Sequence, residues 1–213
     1  MDNKQDREDI LNAIRDGLKI AKFKKIEPVN IRSADIYHTI DKPLLDIFSD
    51  GLQAINGECY YCANQDELVE KLKELHQREN LNLCFSPDLK WLDVIKRTDI
   101  KFTERFENAE KIRSGISSCE FLIARFGSVI VSSSLPGGRR IFSFPEIHIV
   151  IAYENQLVME LEDGLDGITR KYGKDLPSQI TNITGPSRTA DIEKTLILGA
   201  HGPKKLIVIV LKY

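Results

Sequence analysis

Two turn-rich segments near the end of the chain hold hydroxyl, carboxyl and imidazole groups that could do chemistry. The first runs from Thr184 to Glu193 and the second from Gly199 to Pro203. Glycine tolerates positive φ and proline fixes φ, so the chain must turn at both places. Because Pro186 fits the first turn of a helix, we predict that the first segment begins a helix. We also predict that this segment binds an anion at the carboxyl ends of strands. The candidate ligand-binding residues in this segment are Thr184, Gly185, Ser187, Thr189, Asp191 and Glu193.

The same segments also have a purely structural interpretation. A capped connection between strand, helix and strand occurs in any α/β protein and carries no chemistry. His201, between Gly199 and Gly202, is the predicted acid, base or donor near neutral pH, or else a cap on helix carbonyls. Asp191 and Glu193 would repel an anion. A divalent ion could meet these carboxylates and His201, but their spacing does not require one, so no metal site is predicted.

A glycine-rich turn with two arginines is the second candidate site. In the run from Leu135 to Arg140, Gly138 is followed by Arg139 and Arg140. Arginine is the side chain best shaped to bind carboxylate or phosphate through two parallel hydrogen bonds, and glycine turns that lead into strands can form anion-binding loops. The alternative is a surface turn with solvated arginines.

His148 and the pair Cys59 and Cys62 are more typical of structure than of chemistry. A lone polar residue in an apolar strand is usually a hydrogen-bonded core or edge group. Side chains three positions apart on a strand face opposite sides, and no second cysteine pair stands at zinc or iron–sulfur spacing. We therefore expect this chain itself to bind no cofactor, and a redox role would need an electron carrier from a partner.

Composition argues against several kinds of partner and location. The chain has 213 residues and a net charge of -2, without the basic excess of nucleic-acid-binding proteins. Its first ten residues are charged and lack the apolar core of a signal peptide, and no apolar stretch approaches the roughly 20 residues that span a bilayer. Four scattered cysteines suit a reducing compartment. We expect a cytoplasmic protein with no membrane span and no nucleic-acid partner.

The periodicity of apolar residues predicts the elements that must position these groups. Helical spacing favours amphipathic helices over 6–22 and 44–55, and alternation of strands and helices begins at Glu58. We therefore predict an N-terminal helical extension over 1–57, packing on the core, and an α/β domain over 58–213. Within that domain we predict strands over 59–62, 81–85, 122–124, 129–131, 147–152 and 206–211, helices over 65–78 and 161–174, and a turn at 126–128.

Several of these motifs together resemble the lactate utilization protein C family, whose members carry the LUD domain. The similarity is specific from about Gly115 to Tyr213 and extends to the rest of the chain only in general layout. It implies the fold of glucosamine-phosphate deaminase, ribose-phosphate isomerase and the CoA transferases. That fold is a Rossmann-like, mostly parallel sheet with helices on both faces and ligands at one edge. The matching residues are Gly138–Arg140, Pro145, Ile147–Ile149, Glu154–Gln156, Thr184–Glu193 and Leu198–Pro203.

The resemblance adds one further position to the candidate site. Gly127 and Ser128 fall where many members of that family have a Thr-Gly-Thr turn, and Phe126 stands in place of the first threonine. The glycine and one hydroxyl are kept. Both residues therefore join the ligand-binding candidates.

The resemblance implies a component that acts with iron–sulfur partner subunits in the oxidation of L-lactate to pyruvate. The iron–sulfur clusters are expected in those partner subunits. If a small carboxylate or phosphate binds, Arg139 or Arg140 would clamp it and His201 would be the catalytic base.

Two other functional classes remain open at this point. One is a stand-alone isomerase, transferase or ligase that acts on a phosphorylated or CoA-linked small molecule, since one fold supports many chemistries. The other is a non-catalytic assembly module that docks through its first helix. A homo-oligomer is compatible with each class.

Overall fold

A computed structural model describes residues 3–20, 36–107, 109–192, 195–199 and 202–213. These residues belong to two units, 1–38 and 39–213. The first unit contains helix α1 (Asn3–Ile20), which confirms the amphipathic helix predicted there. Its apolar residues Ile10, Ile14 and Leu18 are exposed.

The described part of the second unit alternates strands with helices, which confirms the predicted α/β class. Short 3₁₀ turns at Leu89–Trp91, Ala109–Lys111, Ala124–Phe126 and Glu154–Gln156 join some of these elements. In chain order the elements are α2 (Leu44–Ala54), β1 (Glu58–Cys62), α3 (Gln65–Glu79), β2 (Cys84–Phe85), α4 (Leu92–Lys96), β3 (Phe102–Thr103), β4 (Ser114–Ser117), β5 (Phe121–Ile123), β6 (Ser128–Ser132), α5 (Gly138–Ile141), β7 (Ile147–Tyr153), β8 (Leu157–Val158), α6 (Leu161–Tyr172), β9 (Ile180–Ile183), β10 (Arg188–Ile192), β11 (Thr195–Leu198) and β12 (Lys205–Leu211).

A six-stranded sheet in the order β1-β12-β7-β4-β2-β3 forms the centre of this unit. All of its neighbouring strands are parallel. The apolar run of β12 is buried and lies between two parallel strands, as its sequence predicts. Ile207 and Ile209 of β12 belong to the core formed with α3 and α4. Val208 on the same strand belongs to the opposite core, formed with α2 and β6.

A second sheet covers part of one face of the first. Its order is β8-β5-β6-β9, and β5 pairs with β6 in antiparallel fashion around the predicted turn at 126–128. On its outer face Ile130 packs with Ile168 of α6. Helix α6 carries acids in its first turn and bases in its last, as predicted.

Helix α2 lies inside the core of the second unit. Its Phe48 and Leu52 are completely buried, and burying such side chains contributes about 1.5–3 kcal/mol each. The helix also makes a close backbone contact, since a Cβ on Gly51 would lie 2.8 Å from the backbone nitrogen of Gly127. The compact unit begins at Thr39, so it includes α2 together with the α/β elements.

The prediction that a helix begins at Pro186 is wrong. Residues 188–192 form strand β10, which pairs with β11 in an antiparallel hairpin. Pro186 and the nearby acids favour a helix start, but Thr189, Ile192 and Thr195 are β-branched and favour strands. The cross-strand pairing decides between these local preferences.

Three residues predicted to be structural, Cys59, Cys62 and His148, pack in the fold as predicted. Cys59 and Cys62 face opposite cores from β1, as expected from strand geometry. His148 is completely buried, and a hydrogen bond of 2.8 Å joins its Nε2 to Ser117 Oγ. Within the described residues its Nδ1 has no hydrogen-bond partner. Burial lowers the pKa of His148 to about 4, because the charged imidazolium would be desolvated.

We expect Gly127→Ala to lower the free energy of unfolding by at least about 3 kcal/mol. The residue has a φ of 57°, and an added Cβ would overlap the backbone nitrogen of Leu52. Gly173→Ala is the matched control, because Gly173 has the same φ but no atom within 4 Å of the added Cβ; it should cost about 1–2 kcal/mol. Urea unfolding compares the two variants, and equal losses would contradict the close packing of the turn on α2.

Acid should destabilise the protein through His148. The unfolded chain binds a proton near the ordinary pKa of 6.5, whereas the folded chain resists it down to about 4, so stability falls as pH drops through this window. Between pH 7 and pH 4.5 the loss is about 2 kcal/mol. His148→Asn cannot titrate and should lack this part of the slope, while other acid effects cancel in the comparison.

Urea unfolding at several pH values measures this difference between the wild type and His148→Asn. An NMR titration of the wild-type histidines gives the pKa directly if the variant fails to fold. Identical slopes, or a His148 resonance that titrates near pH 6.5, would contradict the desolvated imidazole.

Candidate functional site

A cleft of about 490 Å³ opens at the carboxyl ends of β2 and β3. Phe85 ends β2 and Glu104 follows β3, so both strands deliver residues to it. Open parallel sheets bind ligands outside the carboxyl ends of their strands. The cleft therefore occupies the edge at which this architecture places binding sites. It is lined by Phe85, Pro87, Glu104, Phe106, Gly137, Gly138, Arg139 and Arg140.

The glycine-rich turn reaches the cleft because it packs closely on β2. Gly137 has a φ of 85°, and a Cβ there would lie 2.7 Å from Cγ of Pro87. Ile141, at the end of α5, is buried, and its carbonyl oxygen would lie 3.1 Å from a Cβ on Gly115 of β4. Glycine at 137 and at 115 thus lets the short helix lie against the sheet, and the two arginines of α5 remain at the surface.

Arg139 and Arg140 are exposed at the rim of the cleft. The guanidinium of Arg139 donates a hydrogen bond of 3.0 Å to Ser178 Oγ. The guanidinium of Arg140 lies 5.6 Å from the ring centroid of Phe106. Within the described residues neither arginine forms an ion pair, although Arg125, for example, is held by Glu160. Two guanidinium groups without carboxylate partners can bind a carboxylate or phosphate.

A buried polar network supports the floor of the cleft, and sequence analysis missed it. Ser118 Oγ donates a 2.5 Å hydrogen bond to Asp88 Oδ2 and accepts one of 2.9 Å from Trp91 Nε1. The other carboxylate oxygen of Asp88 accepts from the backbone N–H of Lys90. The network fixes the loop that carries Pro87. The Ser-Pro-Asp sequence after an apolar strand is a turn and cap signal that could have indicated it.

A second group of predicted residues lies at the opposite, amino-terminal edge of the central sheet. The backbone N–H of Ser187 donates to the carbonyl of Pro203, two residues before β12, and that of Gly199 donates to the carbonyl of Ser187. A Cβ on Gly202 would lie 3.3 Å from Ser187 Cβ. The described parts of the two turn-rich segments thus meet at the amino-terminal edge of the sheet, whereas the sequence predicted a site at the carboxyl ends of the strands.

Gly127, Ser128 and Gly185 pack near helix α2. A Cβ on Gly185 would lie 2.8 Å from the carbonyl oxygen of Ile55, just after α2. Ser128 is completely buried, and β6 separates it from the arginine turn by roughly 15 Å of extended chain. Thr184 is exposed beside this group. The structure therefore places Gly138, Arg139 and Arg140 in the cleft, away from Gly127, Ser128, Gly185 and Ser187.

Thr189 and Asp191 lie on strand β10, where the structure describes their backbone. Glu193 and His201 lie outside the described residues.

The cysteines are dispersed and protonated. Cys84 and Cys119 are buried, and burial raises the pKa of all four thiols, that of Cys59 to about 11 and that of Cys84 to about 12. Among the described residues no three His, Cys, Asp or Glu side chains come together in a way that could hold a metal ion. The same residues include no helix with the length and apolarity needed to cross a membrane.

Comparison with known proteins gives relatives over part or most of the chain. A lactate utilization protein C from Bacillus subtilis is 36% identical over 107 residues, which cover 49% of this chain and 45% of that protein. Another from Deinococcus radiodurans is 26% identical over 189 residues, covering 86% and 82%. The chain spans about half the length of most of these curated relatives.

A solved structure supports the fold. The crystal structure of a DUF162 family protein from Deinococcus radiodurans matches 79% of this chain and 96% of its own, with a TM-score of 0.58 and 19% identity. The model of the LUD domain matches residues 45–211, which include all of α2 except Leu44 and the whole central sheet. The chain belongs to the LUD domain family.

Proposed function

We propose that this protein takes part in lactate utilization, as a component that acts with iron–sulfur partner subunits in the oxidation of L-lactate to pyruvate. The names of its relatives support the biological role. The observation that carries a role at this site is the pair Arg139 and Arg140, without carboxylate partners among the described residues, at the carboxyl edge of the sheet.

The cleft fits the two ends of a small hydroxy acid. A guanidinium group can take a carboxylate through two parallel hydrogen bonds, which is stronger and more directional than a single ammonium contact. The apolar wall formed by Phe85 and Phe106 suits a methyl group. In this proposal Arg139 or Arg140 holds the carboxylate and thereby orients the carbon that is oxidised.

In this proposal the partner subunits accept the electrons that the oxidation of lactate releases. Oxidation of lactate breaks the O–H bond and the Cα–H bond and forms the C=O bond, releasing two electrons and two protons. In this proposal the electrons pass to iron–sulfur clusters on the partners and the protons to bases and solvent, and no cofactor is assigned to this chain. His201, the base predicted from the sequence, lies outside the described residues.

We further propose that the assembly is located in the cytoplasm. The four unpaired cysteines suit the reducing cytoplasm. Within its own unit helix α1 exposes apolar residues, which suits contact with another surface.

Replacing both Arg139 and Arg140 with alanine should reduce lactate-dependent dye reduction at least about tenfold, since hydrogen bonds to a charged carboxylate are lost. The tagged protein is recovered from its own host grown on L-lactate, and the eluate is assayed for iron and for dye reduction. The double variant should retain the iron-containing partners, because the arginines are assigned to the ligand and not to the assembly.

Arg170→Ala is the matched control, because Arg170 is an exposed arginine of α6. It should leave both iron and activity unchanged. An iron-free eluate from the wild type would contradict the assembly with iron–sulfur subunits. Full activity in the double variant would show that the cleft takes no part in the reaction.

A further inference from the structure

A row of three phenylalanines leads from the core to the surface beside the cleft. The ring centroids of Phe85 and Phe106 are 5.2 Å apart, and those of Phe106 and Phe144 are 5.1 Å apart. The exposed fraction rises along the row, from 2% at Phe85 to 65% at Phe144. Phe106 between them is half-buried and lines the cleft.

The outer end of this row is left open to solvent in the described unit. A phenylalanine that is two-thirds exposed leaves apolar surface in water that could otherwise be buried. Aromatic faces bind flat conjugated rings in stacked or edge-to-face geometry with centroids about 4.5–7 Å apart. The spacing within the row already falls in that range, so a planar ring can extend the row by one member.

The positive charge beside the phenylalanine row indicates which class of ligand the cleft would bind. Arg140 lies 5.6 Å from the centroid of Phe106, and Arg139 is its neighbour at the rim. Two adjacent guanidinium groups without carboxylate partners among the described residues favour a ligand with two negative charges, such as a phosphate monoester. Glu104 lines the same cleft and can accept hydrogen bonds from hydroxyl or ring N–H groups.

The size of the cleft exceeds what a three-carbon acid needs. Its volume of about 490 Å³ lies within the range of about 300–1,000 Å³ found for sites that bind drug-sized molecules. In the proposed function lactate occupies the arginine rim and the wall of Phe85 and Phe106, and it leaves Phe144 uncovered. A larger ligand can occupy the same arginines in its place and reach Phe144.

We infer that the cleft binds a heteroaromatic ring joined to a phosphate, with the ring against Phe144 at the outer end of the row and the phosphate on Arg139 and Arg140. The inference rests on the same cleft as the proposed function and names a ligand class that lactate does not belong to. Flavin mononucleotide and an adenine nucleotide share this chemistry.

Binding to the full chain tests the inference with FMN and AMP as probes. Fluorescence quenching follows FMN, and titration calorimetry follows AMP. At least one of the two probes should bind the wild type. Binding of FMN identifies a flavin as the ring, and binding of AMP identifies an adenine. Phe144→Ala should weaken that binding about tenfold, the amount expected for one lost stacking contact.

Two controls separate ring from phosphate. Leu165→Ala removes another exposed apolar side chain, on α6, and should bind the probe like the wild type. Riboflavin or adenosine, which lack the phosphate, should bind more weakly than FMN or AMP. That advantage of the phosphate should disappear in the variant without Arg139 and Arg140.

Three results would overturn the inference: no saturable binding of either probe up to millimolar concentration, equal affinity in Phe144→Ala, or equal affinity with and without the phosphate. A parallel titration with L-lactate keeps the two proposals apart. Lactate binding without probe binding refutes only the ring site. Probe binding that depends on Phe144, without lactate binding, supports the ring site and refutes the carboxylate clamp.

Discussion

The parallel central sheet depends on the exclusion of water from both of its faces. Strand β12 lies between two parallel neighbours, and its residues alternate between two apolar cores. Helices α3 and α4 cover one face. On the other face, α2 and the second sheet share one apolar core with the central sheet. The close contact of Gly51 with Gly127 joins these two covering layers, which is why glycine is required at the β5–β6 turn.

This layering also determines where a ligand can enter. The faces of the sheet are closed, and the elements separate at its edges. At the carboxyl edge Gly137 packs on Pro87, and the loop under Pro87 is fixed by Asp88 and Ser118. Above an aromatic wall, the two arginines of α5 have no carboxylate partner among the described residues. Long-range packing thus assembles the cleft from three separate parts of the sequence.

Much of the fold could be predicted from local pattern. The apolar run of β12, the β5–β6 turn and the charge gradient of α6 each carry a signal within a few residues, and the structure has all three. The helix expected at Pro186 failed because cap-like residues and β-branched residues coexist there, and pairing with β11 favours the strand. The sequence of α2 alone could not predict that this helix belongs to the core. The helix packs on the turn at Gly127, which is more than 70 positions away in the chain.

The candidate site was only partly accessible to sequence reasoning. Adjacent arginines after glycines indicate anion binding locally, and the structure brings them to a cleft. Phe85 and Phe106 carry no such signal, since an aromatic residue near a strand is usually core. The edge of the sheet at which Ser187 lies follows from strand order, because its partner Pro203 precedes β12. Strand order depends on packing between distant segments, and no local pattern contains it.

The most direct test of this account is a crystal structure of the protein soaked with L-lactate. The account predicts a lactate carboxylate on the guanidinium groups of Arg139 and Arg140, with the methyl group toward Phe106. Lactate bound instead at the amino-terminal edge, beside Ser187 and Gly202, would contradict the assignment of the site to the carboxyl-edge cleft.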